Sequence, residues 1–495
     1  MIVCSSQKDC EQLLRSLAAL IRFLLNDEPV TVRDTPADTT ILDYLRKNVT
    51  SEIERRTGTK EGCCSGDCGA CTVVVGEHEQ DRMKYRTMNG CITLLPSLHG
   101  KQLITVEDLA DGDELHPVQE ALVAHHASQC GYCTPGIVMS LFALHHESPD
   151  SQVDAMEALG GNLCRCTGYR PIMEAAKSLQ GQKPDDQFVT REKTTISILK
   201  DLSNNDTVGS DDFIIPKSED ELAGYLEKNP QSRLLAGGTD LGLEVTQLLK
   251  RMPQLVYLGN VPELQQIDVT DHELTIGAAA TYRQIEPVLS YYFSEFGDML
   301  ERLGSQQIRN HGTLGGNIGN ASPIGDTPPV LLALDACIEL RKGKSIRVLP
   351  LAQFFLDYKK TALQPGEYIS KVRIPLGQNT LKVYKLSKRY GDDISTILAA
   401  INIQVDSHGV VVQARVAFGG MAAIPKRATN CENVLVGEPL NSAALDRAKT
   451  AIQSEFNPLS DVRASSDYRL QAACNLLERY VLETRGEPVR ILTHA

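Results

Sequence analysis

Nine of the fourteen cysteines lie between Cys63 and Cys166, in the first third of the chain. No secretory leader is legible: Asp9 and Glu11 stand where a basic region would be, so a cytoplasmic location is expected. In a reducing compartment structural disulfides are rare, and clustered cysteines more often bind metal or do redox chemistry. The first group is EGCCSGDCGAC (61–71), followed by Cys91. Cys63, Cys68 and Cys71 give C-x4-C-x2-C and Cys91 the distant fourth thiol, the spacing of a plant-type [2Fe–2S] centre. Glycines in such a loop permit φ > 0 and let backbone N–H groups point at sulfides. Zinc sites use paired knuckles without such a loop. Cys64 could replace Cys63 in principle, but the spacing favours Cys63 and leaves Cys64 a bystander. The second group joins QCGYC (129–133) to GNLCRC (161–166), so Cys130, Cys133, Cys164 and Cys166 form a second quartet. Alone, that quartet fits zinc or a redox dithiol as well; beside a plant-type loop, a second iron–sulfur site is favoured.

Length and charge bound the rest. The chain has 495 residues, enough for three or four domains, and a net charge of −13, which argues against nucleic-acid binding. Leu13–Leu25, the longest apolar run, is broken by Arg15 and Arg22, so no membrane span is expected. Helical spacing is expected over residues 1–20, then a strand at 21–25, a turn, a returning strand at 30–33 and a capped helix at 39–47. A strand follows from Thr72, completing a β-grasp-like α+β pattern. Helices are expected at 118–125, 136–146, 151–159 and 171–179. Residues 181–211 are polar and charged and read as a linker. A β-rich stretch is expected at 382–420 and a helical tail at 443–482.

Two glycine loops lie further on: RLLAGGTDLG (233–242) and GTLGGNIGNASPIGD (312–326). Neither is G-x-G-x-x-G or Walker A. Each alone reads as a turn; together, beside iron–sulfur sites, they suggest flavin diphosphate loops. His125–His126 and His145–His146 are read as surface or packing residues without matched acidic partners. Cys337, Cys431 and Cys474 are read as small buried hydrophobes. No hydrolase or zincin motif is present.

CGACTV (68–73), QCGYCTPG (129–136) and GNLCRCTGYRPI (161–172) resemble the iron–sulfur part of the molybdenum hydroxylases, which include xanthine dehydrogenase, aldehyde oxidase and carbon monoxide dehydrogenase. The resemblance covers roughly residues 20–480. It departs at residues 64–67, Cys-Ser-Gly-Asp, where the family usually has Gly-Glu-Gly-Gly. It implies an α+β multidomain chain: an N-terminal extension (1–20), a β-grasp ferredoxin-like [2Fe–2S] domain (21–100), a four-helix [2Fe–2S] domain (101–180) and the linker (181–211). A vanillyl-alcohol-oxidase-like FAD domain (212–378) and a C-terminal α+β flavoprotein domain (379–495) follow. By the same resemblance Leu235, Ala236, Gly237, Gly238, Thr239, Asp240, Leu241 and Gly242, with Thr313, Leu314, Gly315, Gly316 and Asn317, wrap the FAD diphosphate. Asp326 helps to fix the cofactor, and Leu303 stands where some relatives place an aromatic ring against the flavin. YKLSKRYGDDI (384–394) and FGGM (418–421) resemble the C-terminal part of the flavin subunit, and Lys388 is a candidate flavin or nucleotide contact. Gln129 matches a residue that touches a molybdopterin held elsewhere.

The order iron–sulfur then flavin resembles the small subunit of bacterial xanthine dehydrogenases. It implies a large molybdenum-cofactor partner, a heterotetramer of two small and two large chains, and NAD⁺ as acceptor while the partner oxidises hypoxanthine and xanthine towards urate. The same role for an aldehyde or N-heterocycle, and a stand-alone iron–sulfur flavoprotein reductase, are the alternatives. Gln129 beside Cys130 argues against the last.

Overall fold

The computed structural model describes residues 21–33, 35–47, 54–147, 153–203, 208–210, 212–252, 254–487 and 489. The helix expected over 1–20, with Cys4 and Cys10, lies outside the described residues. The chain divides into two compact units. One takes the chain to Leu222 with Gln231–Pro262 and Ser305–Gly312; the other takes Ala223–Pro230, Glu263–Gly304 and the chain from Thr313.

In the first unit a five-stranded sheet has the spatial order Glu28–Val32, Ile21–Leu25, Gln102–Ile104, Thr72–Glu79, Arg82–Asn89. The first two strands are a hairpin turned at Asn26 (φ 56°), and Ile21–Leu25 pairs in parallel with Gln102–Ile104. Thr40 caps the helix Ile41–Arg46 by accepting the Asp43 N–H at 3.1 Å. That helix lays Ile41, Tyr44 and Leu45 on Phe23, Val73 and Val75. Strand alternation sends Val74 to the opposite face, where it packs with Ile137, Phe142 and Ile172 of the helical region. The run Val73-Val74-Val75 is apolar throughout because both faces of its strand are covered.

The helices Pro117–Ala124, Thr134–His145, Ala155–Leu159 and Arg170–Leu179 match the four expected. The linker reading of 181–211 is corrected: Gln187–Ser203 is a 17-residue helix. Its polar composition hides a narrow stripe, Phe188, Thr195, Ile196 and Leu199, which is buried in the helical core. A small sheet of Val208–Gly209, Phe213–Ile215, Leu255–Tyr257 and Arg233–Leu235 shares its core with the β-grasp sheet.

The second unit holds an antiparallel sheet ordered Ile267–Val269, Glu273–Gly277, Tyr368–Pro375, Cys337–Lys342, Ser345–Pro350. Another is ordered Lys382–Leu386, Ile397–Val405, Val411–Gly419, Lys426–Arg427. The strand Ile397–Val405 again alternates: Leu398 and Ala400 face one core, while Ile397, Ala399, Ile401 and Ile403 face the helices Ser442–Glu455 and Ser466–Thr484. Among the described residues no helix is long and apolar enough to cross a membrane.

Candidate electron-transfer site

The first cysteine loop precedes the strand Thr72–Glu79. Gly66 (φ 78°) and Gly69 (φ 69°) take left-handed conformations that curl it, as does Cys64 (φ 53°). The backbone N–H groups of Ser65 and Cys68 both point at Cys63 Sγ, at 3.4 Å each. The Cys63 thiol hydrogen-bonds with those of Cys68 and Cys91, which hold it far below the ordinary thiol range, and the Cys71 thiol meets Cys91. Cys64 instead gives its thiol to Glu61 Oε1 at 3.3 Å. Burial, reinforced by that carboxylate, pushes the Cys64 thiol up to about 11. The structure therefore separates the two adjacent cysteines: Cys63 faces the quartet and Cys64 faces Glu61.

The second quartet comes from helix ends. Cys133 occupies the N-cap position of Thr134–His145, and burial, with the neighbouring Cys164, pushes its thiol up to about 12. Cys130 and Cys166 approach to 3.2 Å between sulfurs, and Cys133 hydrogen-bonds with Cys164. The Cys164 N–H donates to Tyr169 Oη at 2.9 Å. The second quartet thus resolves into two thiol pairs, while the first is a chain in which Cys63 and Cys91 each meet two thiols. Four thiolates on one tetrahedral zinc would all lie ~3.8 Å apart, from Zn–S bonds of ~2.3 Å. Among the described residues neither quartet brings three sulfurs within 4.8 Å of one another. This spread, with no three sulfurs converging on one point, fits a two-iron centre better than a single ion.

The first glycine loop links the strand Arg233–Leu235 to the short helix Leu241–Thr246. Gly238 is left-handed (φ 70°), and a Cβ on Gly237 would overlap the His311 carbonyl oxygen. A Cβ on Gly242 would overlap the carbonyl of Ile92, the neighbour of Cys91. Thr246 Oγ1 and Gln247 Nε2 donate to the Cys64 carbonyl at 2.7 and 2.8 Å. This loop, with Leu235, Ala236, Thr239, Asp240 and Leu241, is therefore seated on the first cysteine loop.

In the second unit, Thr313 Oγ1 caps Leu314–Asn320 by accepting the Gly316 N–H at 3.1 Å. Gly315 is pressed on Ala278, Asn317 accepts from Thr327 at 2.6 Å, and Leu303 packs against the core. Asp326 is buried, and its carboxylate takes Lys385 Nζ and, at 2.6 Å, Ser395 Oγ. Lys388 is exposed and donates to the Val462 carbonyl at 2.8 Å. Sequence reading singled out Lys388 and missed Lys385. Strand alternation in Lys382–Leu386 turns Lys385 inward, and its acidic partner lies 59 residues away.

The reading of His145–His146 without acidic partners is corrected in part. His146 Nε2 and His116 Nε2 meet Asp186 Oδ2 at 2.7 and 3.0 Å. His116 Nδ1 accepts the Val118 N–H, so the proton sits on Nε2 and is given to the carboxylate. Asp186 Oδ1 accepts from Phe188 and Val189 at the start of Gln187–Ser203. These atoms form a hydrogen-bond hub that anchors the unexpected helix.

Family models match in chain order. A 2Fe-2S iron-sulfur cluster binding domain spans residues 23–95 and a [2Fe-2S] binding domain 105–177. An FAD binding domain in molybdopterin dehydrogenase spans 207–377, and a CO dehydrogenase flavoprotein C-terminal domain 382–484. The chain belongs to the molybdenum hydroxylase family, as its iron–sulfur and flavin part. Its relatives in that family include xanthine dehydrogenase of Emericella nidulans, 33% identical over 88% of this chain and 36% of that protein. Aldehyde oxidase 2 of Rattus norvegicus is 29% identical over 94% of this chain and 39% of that protein. The chain thus spans just over a third of the length of the curated relatives it matches. Reconstituted CO dehydrogenase from Oligotropha carboxidovorans includes a chain with TM-score 0.52 and 28% identity, which covers 56% of this chain and 99% of its own length. Quinoline 2-oxidoreductase from Pseudomonas putida 86 gives 0.51 and 26%, covering 56% and 97%.

Proposed function

We propose that this chain carries electrons from a molybdenum centre on a partner chain, through two [2Fe–2S] clusters, to FAD and on to NAD⁺, within a xanthine dehydrogenase. The observation that carries the reading is the gathering of eight thiols into two quartets, with a glycine loop seated beside Cys91. Relatives named xanthine dehydrogenase at 30–33% identity support the substrate.

Cys63, Cys68, Cys71 and Cys91 hold the first cluster, and Cys130, Cys133, Cys164 and Cys166 the second. When bound, the clusters supply one-electron steps and the flavin a two-electron store that can release a hydride. The protein's task is to bind, orient and tune. The Ser65 and Cys68 amides stabilise charge at Cys63. By the family resemblance residues 235–242 and 313–317 would contact the flavin diphosphate, Leu303 would line the ring, and Asp326, held by Lys385, would help to fix the cofactor. Lys388 is an acceptor-side contact. Gln129, exposed beside Cys130, faces the partner's molybdopterin. The assembly is a cytoplasmic heterotetramer of two small and two large chains.

Likeness to quinoline 2-oxidoreductase and to aldehyde oxidase supports a second reading, the same electron path serving another N-heterocycle or an aldehyde. Xanthine-dependent NADH formation by the native complex, with a dye as parallel acceptor, decides between them. NADH formation supports the full reading. Dye reduction alone removes NAD⁺, and inactivity of a molybdenum-replete complex removes xanthine.

A further inference from the structure

The two cysteine loops meet along a buried polar seam. The Leu163 N–H, next to Cys164, donates to the Cys68 carbonyl at 2.9 Å. Asn162 Nδ2 donates to the Gly69 carbonyl at 3.1 Å and to Thr72 Oγ1 at 3.3 Å, while its Oδ1 accepts from Ser140 Oγ at 2.6 Å. The loops come this close because three glycines line the seam. A Cβ on Gly69 would overlap the Gly161 carbonyl, and one on Gly136 would overlap the Gly69 carbonyl. One on Gly161 would overlap Gln307 Oε1.

Gln307 comes from neither cysteine domain. It lies on the short helix Gln306–Arg309, in the stretch that precedes the glycine loop at Thr313. It is 1% exposed, and its Nε2 reaches Thr72 Oγ1 and Asn162 Oδ1 at 3.2 Å each and Ser140 Oγ at 3.5 Å. Its neighbours fasten the stretch: Arg309 pairs with Glu157 at 2.5 Å, and Asn310 Nδ2 donates to the Thr87 carbonyl at 3.0 Å. Among the described residues Gln307 Oε1 has no hydrogen-bond partner, although the side chain is buried. Packing alone would be served better by an apolar residue, because burying an unpaired amide oxygen is costly.

We infer that Gln307 is a positioning residue for electron transfer: its amide clamps Thr72, Ser140 and Asn162 and so sets the spacing and the potential difference between the two clusters. This rests on the proposal that both quartets hold [2Fe–2S] clusters. The amide dipole lies between the loops that carry Cys68, Cys71 and Cys164, where hydrogen bonding and charge tune reduction potentials.

The test uses the purified full-length chain with its clusters, and Gln307→Leu, which keeps the volume and removes the amide. Iron and acid-labile sulfide are counted first. Less than two clusters' worth in the unmodified chain overturns the cluster assignment, and the inference with it. With both clusters present, Gln307→Leu is expected to alter the magnetic splitting between the reduced clusters in electron paramagnetic resonance. It should also shift the division of one electron between them about tenfold, ~59 mV by the one-electron relation. Unchanged splitting and potentials with only a lower Tm overturn the inference and leave Gln307 a packing residue. Should Gln307→Leu lose its clusters, Ser140→Ala removes one hydroxyl from the same seam. The same shift there supports the inference, and none overturns it.

Discussion

Gly242 is packed so closely on the Ile92 carbonyl that a Cβ would overlap the oxygen. Ile92 follows Cys91, so this glycine sets how nearly the first glycine loop approaches the first cysteine loop. The obstacle is backbone, which cannot rotate aside. Gly242→Ala is expected to cost about 1–3 kcal/mol, the range for overpacking, and to lower the flavin content of purified protein. Tm and the flavin-to-iron ratio check this; a normal ratio would place the flavin elsewhere.

Cys63 and Cys64 are adjacent yet face different partners. Cys63→Ser should remove one cluster, read as half the iron and sulfide. Cys64→Gly should keep both clusters. It should also raise stability by about 0.5–1 kcal/mol, because Cys64 has φ 53° and glycine adopts that conformation without a Cβ penalty. Iron counts and urea unfolding test both; loss of a cluster in Cys64→Gly would make Cys64 the ligand.

Three histidines of the first unit, His99 and His311 buried and His145 half-buried, are held below the ordinary histidine range. Burial holds His99 and His145 at about 4 and His311 at about 3. An unfolded histidine titrates near ~6.5. Between that value and the folded ones the unfolded chain binds more protons, so stability rises with pH in that window. The contribution is fully present above pH ~6.5 and is lost as pH falls towards 4. Tm should be several degrees lower at pH 5 than at pH 7. His99→Asn, which keeps an acceptor for the Arg22 N–H, should flatten the slope. An unchanged slope would refute the contribution of His99.

Asp326 and Lys385 form a buried ion pair, with side chains 8% and 2% exposed. Removing one partner strands the other charge. Lys385→Met is expected to cost about 3–5 kcal/mol, and Lys385→Met with Asp326→Leu distinctly less. Denaturant unfolding of the single and double variants gives the coupling. Equal losses in both would mean that the pair contributes shape rather than charge compensation.

Much was legible in the sequence because the signals are local. Cysteine spacing within 63–71, 130–133 and 164–166 marks the two thiol quartets. A period of 3.6 marks the four helices, and the run Thr72-Val-Val-Val a strand covered on both faces. The helix Gln187–Ser203 was missed because a stripe of four buried residues in seventeen is diluted by charge. Its start is anchored by His116 and His146, 70 and 40 residues from Asp186.

The sequence by itself determined which side chains are candidates for the chemistry: eight thiols at ligand spacing and two glycine loops. Spacing along the backbone limits where neighbouring ligands can reach, and that constraint survives without tertiary knowledge. Only the tertiary structure decided that Cys64 turns to Glu61, that Lys385 meets Asp326, and that Asn162 and Gln307 join the two cysteine loops. Each of these turns on a side chain's direction or on a partner tens to hundreds of residues distant. Such pairings are set by how cores pack and which strand face is buried, and they leave no periodic trace in the chain.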